Sequence, residues 1–205
     1  MITYQELTEG VALNIKIDYN ETDLARFNVV RNLNLAVLNL INKLPSIHLS
    51  EVIRTSQASI VSGTQSYQWP VDFLRFVKLW VRWAIEDEYI PADLKSSTEA
   101  ENIYSLFSQA TEEYPLVQID AERGFTIFPI PHENVVNGIR LRYVFLPPEI
   151  TDTQDCILDE KWKSLILYDA SAMSAAVEGR KIELSNYWLG LYERELNKLM
   201  PKVAI

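Results

Sequence analysis

The run Asn137-Gly138-Ile139-Arg140-Leu141-Arg142-Tyr143-Val144-Phe145 alternates apolar and basic side chains over its second half. Successive side chains of a β-strand point to opposite faces. Ile139, Leu141, Tyr143 and Phe145 therefore line a buried face, while Arg140 and Arg142 line the other. Asn137-Gly138 is read as the turn that leads the chain into this strand. It is the cleanest strand signal in the chain, and the remaining segments are arranged around it.

Upstream, Val77, Leu79, Val81 and Trp83 alternate with Lys78, Trp80 and Arg82, which predicts a second strand with one buried face. Val117 and Ile119 lead through Glu122-Arg123-Gly124 into Phe125 and Ile127, a hairpin with glycine near its turn. Ser59-Ile60-Val61, Gly63-Thr64 and Tyr67-Gln68-Trp69 read as a further short hairpin, stopped by Pro70. Ser96-x-x-Glu99 predicts a capped helix with Ala100, Ile103, Tyr104 and Phe107 on one face.

The flanks read as helices. Thr3-x-x-Glu6 is a capping box that opens a helix from Tyr4 to about Leu13. Asn20 with Asp23 opens a second, whose apolar spacing runs on through Leu24, Phe27, Val30, Val37 and Ile41 to Pro45. Val29, Leu33, Ala36 and Leu40 give it a second apolar stripe, as expected of a helix buried between neighbours. Beyond Pro147-Pro148, one helix carries Trp162, Leu165, Ile166 and Met173. Another carries Leu184, Trp188, Leu191 and Leu199, and Gly179 separates the two. The expected fold is α+β, mainly α: a helical bundle from the N- and C-terminal helices with an inserted antiparallel β-rich segment. It is read as one domain, helical over 1–56 and 157–200, β-rich over 57–150, with a C-terminal tail at 201–205.

Composition narrows the function. A formal charge of -9 argues against a phosphate-binding surface, because binding to duplex DNA rests on Lys and Arg. Cys156 is the only cysteine, so neither an intrachain disulfide nor a cysteine-based zinc site is possible. Met1–Glu6 has neither the basic start nor the apolar run of a signal peptide, and no stretch is long enough to span a bilayer, so folding in a cytoplasm and no membrane contact are expected. Only six scattered glycines occur, with no phosphate-cradling loop, and no cofactor or metal motif is present. His48 and His132 lie in expected loops without a second ligand nearby. The acidic groups Glu86-Asp87-Glu88, Glu112-Glu113 and Asp159-Glu160 read as solvated turns and helix starts. Trp162 and Trp188 fit helix cores, whereas for Trp69, beside Pro70, core and subunit contact both stay open.

Taken in order, these pieces resemble the phage head-to-tail adaptor family, which includes the tail tubular A proteins and related connector subunits. The capped helix Thr3–Leu13 and the asparagine-rich Arg31-Asn32-Leu33-Asn34-Leu35-Ala36 match its opening. Tyr67-Gln68-Trp69-Pro70-Val71-Asp72-Phe73 is similar to its tyrosine, leucine, proline, x, aspartate, phenylalanine turn, with Trp69 in place of the leucine. Phe125-Thr126-Ile127-Phe128-Pro129-Ile130-Pro131 is similar to its strand ending in proline-x-proline, and Leu141-Arg142-Tyr143, Leu146-Pro147 and Thr151-Asp152 to its last strand and exit. Glu113-Tyr114-Pro115 departs from the family's glycine-proline step.

The resemblance implies a structural virion protein of the neck, made in the host bacterial cytoplasm, with no active site and no cofactor. It implies a homo-oligomeric ring of about twelve copies between the portal protein and a tail or nozzle protein, through which DNA passes without specific binding. Interface candidates are Tyr67, Trp69, Pro70, His132 and Glu133, together with the tail Pro201, Lys202, Val203, Ala204 and Ile205. The alternatives are another neck or tail-completion subunit, or a small hydrolase using carboxylates such as Glu112 and Glu113.

Overall fold

A computed structural model describes residues 2–95, 110–120, 123–177 and 181–199. The chain divides into two compact units, Met1–Val52 with Pro147–Ile205, and Ile53–Leu146. Of the described residues 42% are helical and 27% lie in strands, so the fold is a balanced α+β and the expectation of a mainly helical protein is corrected. The difference arises because strand pairing extends over nearly all of the middle segment and already begins at Ile53.

The first unit is helical. α1 (Tyr4–Ile15) starts at the expected capping box: the Glu6 backbone N–H donates to Thr3 Oγ1 (3.2 Å) and the Thr3 N–H to Glu6 Oε2 (3.0 Å). α2 (Glu21–Arg26) is capped by Asn20, whose Oδ1 accepts from the Asp23 N–H at 2.9 Å. The single long helix expected from Asn20 is in fact two. Asn28 takes a left-handed backbone (φ 53°) and ends α2 before α3 (Val29–Lys43) begins. Asparagine tolerates that conformation, and the apolar spacing gave no sign of it because Leu24, Phe27 and Val29 are buried on both sides of the break.

α4 (Lys163–Ala176) is the hub, packing against α1, α3 and α5 (Ile182–Leu199). Its buried Ala170, Ser171, Ala172, Ser174 and Ala175 are small, which lets neighbouring backbones approach. The asparagines of α1 and α3 serve the same packing. Asn14 Nδ2 donates to Ser171 Oγ (3.0 Å), Asn32 Nδ2 to Ser174 Oγ (3.0 Å) and Asn39 Nδ2 to Asp169 Oδ2 (3.0 Å). Asn34 accepts from the Ile150 N–H (2.7 Å) and donates to its carbonyl (3.2 Å), so one side chain holds the returning chain as a strand neighbour would.

Among the described residues the second unit holds eight strands in two sheets. β1 (Ile53–Ile60), β3 (Phe73–Val81), β4 (Ile90–Pro91) and β8 (Val135–Phe145) form one, in the order β1-β8-β3-β4. β2 (Ser66–Tyr67), β5 (Asp93–Lys95), β6 (Leu116–Asp120) and β7 (Gly124–Phe128) form the other, in the order β2-β7-β6-β5. Every pairing is antiparallel except β5 with β6. The expected β6–β7 hairpin is present, with Asp120 opposite Gly124. The expected hairpin between Ile60 and Tyr67 is not: β1 pairs with β8, and β2 pairs with β7 in the other sheet. Asn137-Gly138 is no turn either. β8 runs through it, and Asn137 (φ 53°) takes up a register shift where Ile60 faces Val135. The segment 96–109, with its expected capped helix, and Gly179 lie outside the described residues.

Trp162 and Trp188 differ in burial. Trp162, in the helical turn Glu160–Trp162 ahead of α4, is 3% exposed and meets the His48 ring edge-on at 6.3 Å. Trp188 is only half-buried, stacked on Tyr168 at 5.5 Å, and the buried residues of α5 are Tyr192 and Leu196 in place of the expected Leu184, Leu191 and Leu199. Trp162→Ala should therefore cost about 3–5 kcal/mol and Trp188→Ala clearly less, about 1–3 kcal/mol, as read from denaturant melts of each variant. Equal losses would place Trp188 in the core after all.

Candidate functional site

The 66–76 segment builds an aromatic joint. Tyr67 leaves β2 stacked on Phe125 of β7, with ring centroids 5.7 Å apart. Two residues on, Trp69 lies flat on Phe73 at the start of β3, 3.9 Å apart and 8° from parallel, and also meets Phe125 (5.1 Å) and Phe76 (6.5 Å). The Trp69 indole therefore touches a strand of each sheet. Its Nε1–H donates to the Asp120 carbonyl at 3.0 Å, so the polar end of the ring is satisfied at the β6–β7 turn. Gly124 makes the close approach possible. Its φ of 144° and a Cβ position 1.9 Å from the Tyr67 carbonyl oxygen admit glycine alone.

Pro70 precedes a tight turn, closed by the Phe73 N–H donating to the Pro70 carbonyl at 3.0 Å. Asp72 sits in that turn and ties down the end of the first sheet. Its carboxylate accepts from Tyr143 OH (2.8 Å) and Arg54 (2.5 Å), and its carbonyl from the Leu146 N–H (2.7 Å). Arg54 also stacks over Phe145 at 3.8 Å. Burial, reinforced by the Asp72 hydrogen bond, pushes the Tyr143 phenol up to about 12. The sequence offered Asp72 only as one letter of a turn motif, because its partners Arg54 and Tyr143 are remote along the chain.

His132 and Glu133 are exposed and line a separate cleft with Trp83, Asp87 and Glu112. Their loop is fastened to the one before β2. The Gly63 N–H donates to the Pro131 carbonyl (2.8 Å), Ser62 Oγ to the His132 carbonyl (2.8 Å) and the Ser62 N–H to Asn134 Oδ1 (2.8 Å). The Tyr67 hydroxyl braces the loop before β2 from within, accepting from the Val61 N–H (3.4 Å) and donating to the Thr64 carbonyl (2.9 Å). The structure thus joins Tyr67 and Trp69 in the aromatic joint, sets His132 and Glu133 in a neighbouring loop, and leaves Pro201–Ile205 outside the described residues. Glu112 and Glu113 are exposed on the Thr111–Tyr114 turn, held there by Trp83 Nε1–H donating to the Glu112 carbonyl at 2.7 Å. Among the described residues, no group of His, Cys, Asp or Glu could hold a metal ion, and no helix is long and apolar enough to cross a membrane.

The chain belongs to the SU10 adaptor protein family, whose model matches residues 2–204. No curated protein matches it. The membership agrees with the resemblance to phage adaptors and implies a structural component of a phage particle.

Two outcomes follow from this geometry. Trp69→Ala removes a half-buried ring that bridges both sheets, so it should destabilise the protein by roughly 2 kcal/mol, below the value for a fully buried tryptophan. A melt unchanged from wild type would free Trp69 from that structural role. The second concerns alkali. Because the folded state keeps Tyr143 protonated more tightly than the unfolded chain does, its contribution is complete below pH 10 and is lost as the pH rises from 10 to about 12. Tyr143→Phe should flatten the fall in melting temperature over that range, and an undiminished slope would exclude Tyr143 as its source.

Proposed function

We propose that the protein is a head-to-tail adaptor, a ring of about twelve copies that docks beneath the portal protein and receives the tail, with the genome passing through its channel. The family match over residues 2–204 carries this reading. The net charge of -9 supports it, since a channel wall that repels phosphate lets DNA slide. The half-buried Trp69–Pro70 turn and the exposed His132–Glu133 loop are the proposed contacts for a tail-side protein or a neighbouring subunit. The tail Pro201, Lys202, Val203, Ala204 and Ile205 is the proposed portal contact. Burial of Val203 and Ile205 would contribute about 1.5–3 kcal/mol each before the ordering cost, multiplied around the ring by avidity.

The test is to mix the purified chain with portal rings from the same genome and image the product. A ring seated on the portal is expected, with the free chain sedimenting as a monomer or weak oligomer because its copies repel. A chain that ignores the portal but binds a tail protein would make it a tail-completion subunit instead. A stable dodecamer without portal would overturn the template requirement.

A further inference from the structure

The first sheet of the β unit reverses the charge balance of the chain as a whole. β1, β3 and β8 together contain Arg54, Arg75, Lys78, Arg140 and Arg142 and not one aspartate or glutamate, in a protein with 28 acidic and 19 basic residues. Arg54 is consumed by Asp72. On the face opposite the buried Leu79, Val81, Ile139 and Leu141, the Cα pairing sets Lys78 beside Arg142 and Trp80 beside Arg140, with Thr55 and Gln57 across on β1. Directly opposed side chains sit about 5 Å apart, where like charges destabilise a sheet. Among the described residues, no carboxylate is within ion-pair distance of Lys78, Arg140 or Arg142. Lys78 and Arg142 are exposed.

The aromatics of this face are already covered by cations. Arg140 lies 3.7 Å over the Tyr89 ring and Lys78 Nζ 5.3 Å over Trp80. Tyr89 is fixed in turn by its hydroxyl donating to the Asn137 carbonyl at 2.6 Å. Single-strand binders need open ring faces for bases to stack on, and here a cation already lies over one face of each ring. What the face does present is a rigid row of N–H donors matched to carboxylates. Carboxylates are what the same unit displays at the end of β3: Asp87, Glu112 and Glu133 around one cleft, with Glu113 exposed beside it.

We propose that the Lys78–Arg140–Arg142 face binds a second copy of this chain through the acidic end of that copy's β unit, around Glu112 and Glu113. Two different patches of opposite sign on one unit make a head-to-tail contact, the kind that repeats into a closed ring. The proposal rests on the adaptor reading above and assigns the surface by which neighbours would meet.

Equal amounts of 15N-labelled and unlabelled chain are concentrated at low salt and coupled with a carbodiimide. Mixed-isotope peptides joining Lys78 to the 111–114 segment are expected, and they should vanish at high salt. By sedimentation, K78E/R142E and E112K/E113K should each weaken self-association at least about tenfold. The chain carrying all four substitutions should recover it, and thermal melts confirm that each variant folds. Wild-type association by either single-patch variant, no recovery in the combined one, or no intermolecular Lys78 product would overturn the proposal. So would a DNA oligonucleotide that shields Lys78 from acetylation, which would make the face a phosphate contact. A ring on the portal in which Lys78 forms no product would sink this inference and leave the adaptor reading standing. Lys78 products without portal binding would do the reverse.

Discussion

The antiparallel pairing of β1 with β8 is the constraint on which the rest of the structure depends. It sets Ile53 opposite Val144, so the β unit begins and ends at neighbouring points. A segment whose ends lie together can be inserted into another folding unit without pulling that unit apart. The helical unit is made of two remote pieces of chain, Met1–Val52 and Pro147–Ile205, and it needs that closure. β8 also pairs with β3 on its other side, so one eleven-residue strand organises the sheet and fixes where the chain leaves and returns. Asp72 reinforces the same corner by holding Arg54 of β1, Tyr143 of β8 and the Leu146 N–H at once.

What could be read from the sequence divides along the range of the interactions involved. The capping box at Thr3, the alternation of Ile139–Phe145 and the β6–β7 hairpin are encoded within a few residues, and each is found in the structure. The Ile60–Tyr67 hairpin looked local because Gly63-Thr64 is a good turn, and a turn is present there: the Thr64 N–H donates to the Val61 carbonyl at 3.0 Å. The strands it joins belong to different sheets, because each finds its partner more than fifty residues away. Turn chemistry can show where the chain bends without showing which strands will pair.

The aromatic joint follows the same division. Trp69 beside Pro70 stood out, yet whether it lay in a core or at a contact depended on Phe125, which is distant in sequence. The structure gives it both an intramolecular stack and a half-exposed edge. The cationic face was hidden by its own regularity. Arg140 and Arg142 read as the face of a strand opposite the buried one, and only the cross-strand partner Lys78 turns that face into a cluster of like charge. The C-terminal helix misled for a geometric reason. Leu184, Trp188, Leu191 and Leu199 suit an apolar stripe, but α5 turns Tyr192 and Leu196 inward and leaves the others partly or largely exposed.

Net charge averages over a surface and hides where its signs lie. A chain of charge -9 is expected, taken as a whole, to repel both nucleic acid and its own copies. Within a Debye length of about 8 Å, however, an approaching group meets the local patch and little of the whole. In the β unit Asp72, Glu86, Asp87, Glu88, Glu112, Glu113 and Glu133 lie between strands, and the three long strands of the first sheet hold no aspartate or glutamate. If copies meet through the proposed contact, this segregation would let one acidic protein keep its copies apart at a distance and still join them in a single register. Long-range repulsion suppresses indiscriminate association, while the short-range pairing of unlike patches admits only the orientation that brings them together. On the adaptor reading the two effects would act in sequence, repulsion first and patch pairing at contact, and both would follow from where the carboxylates sit.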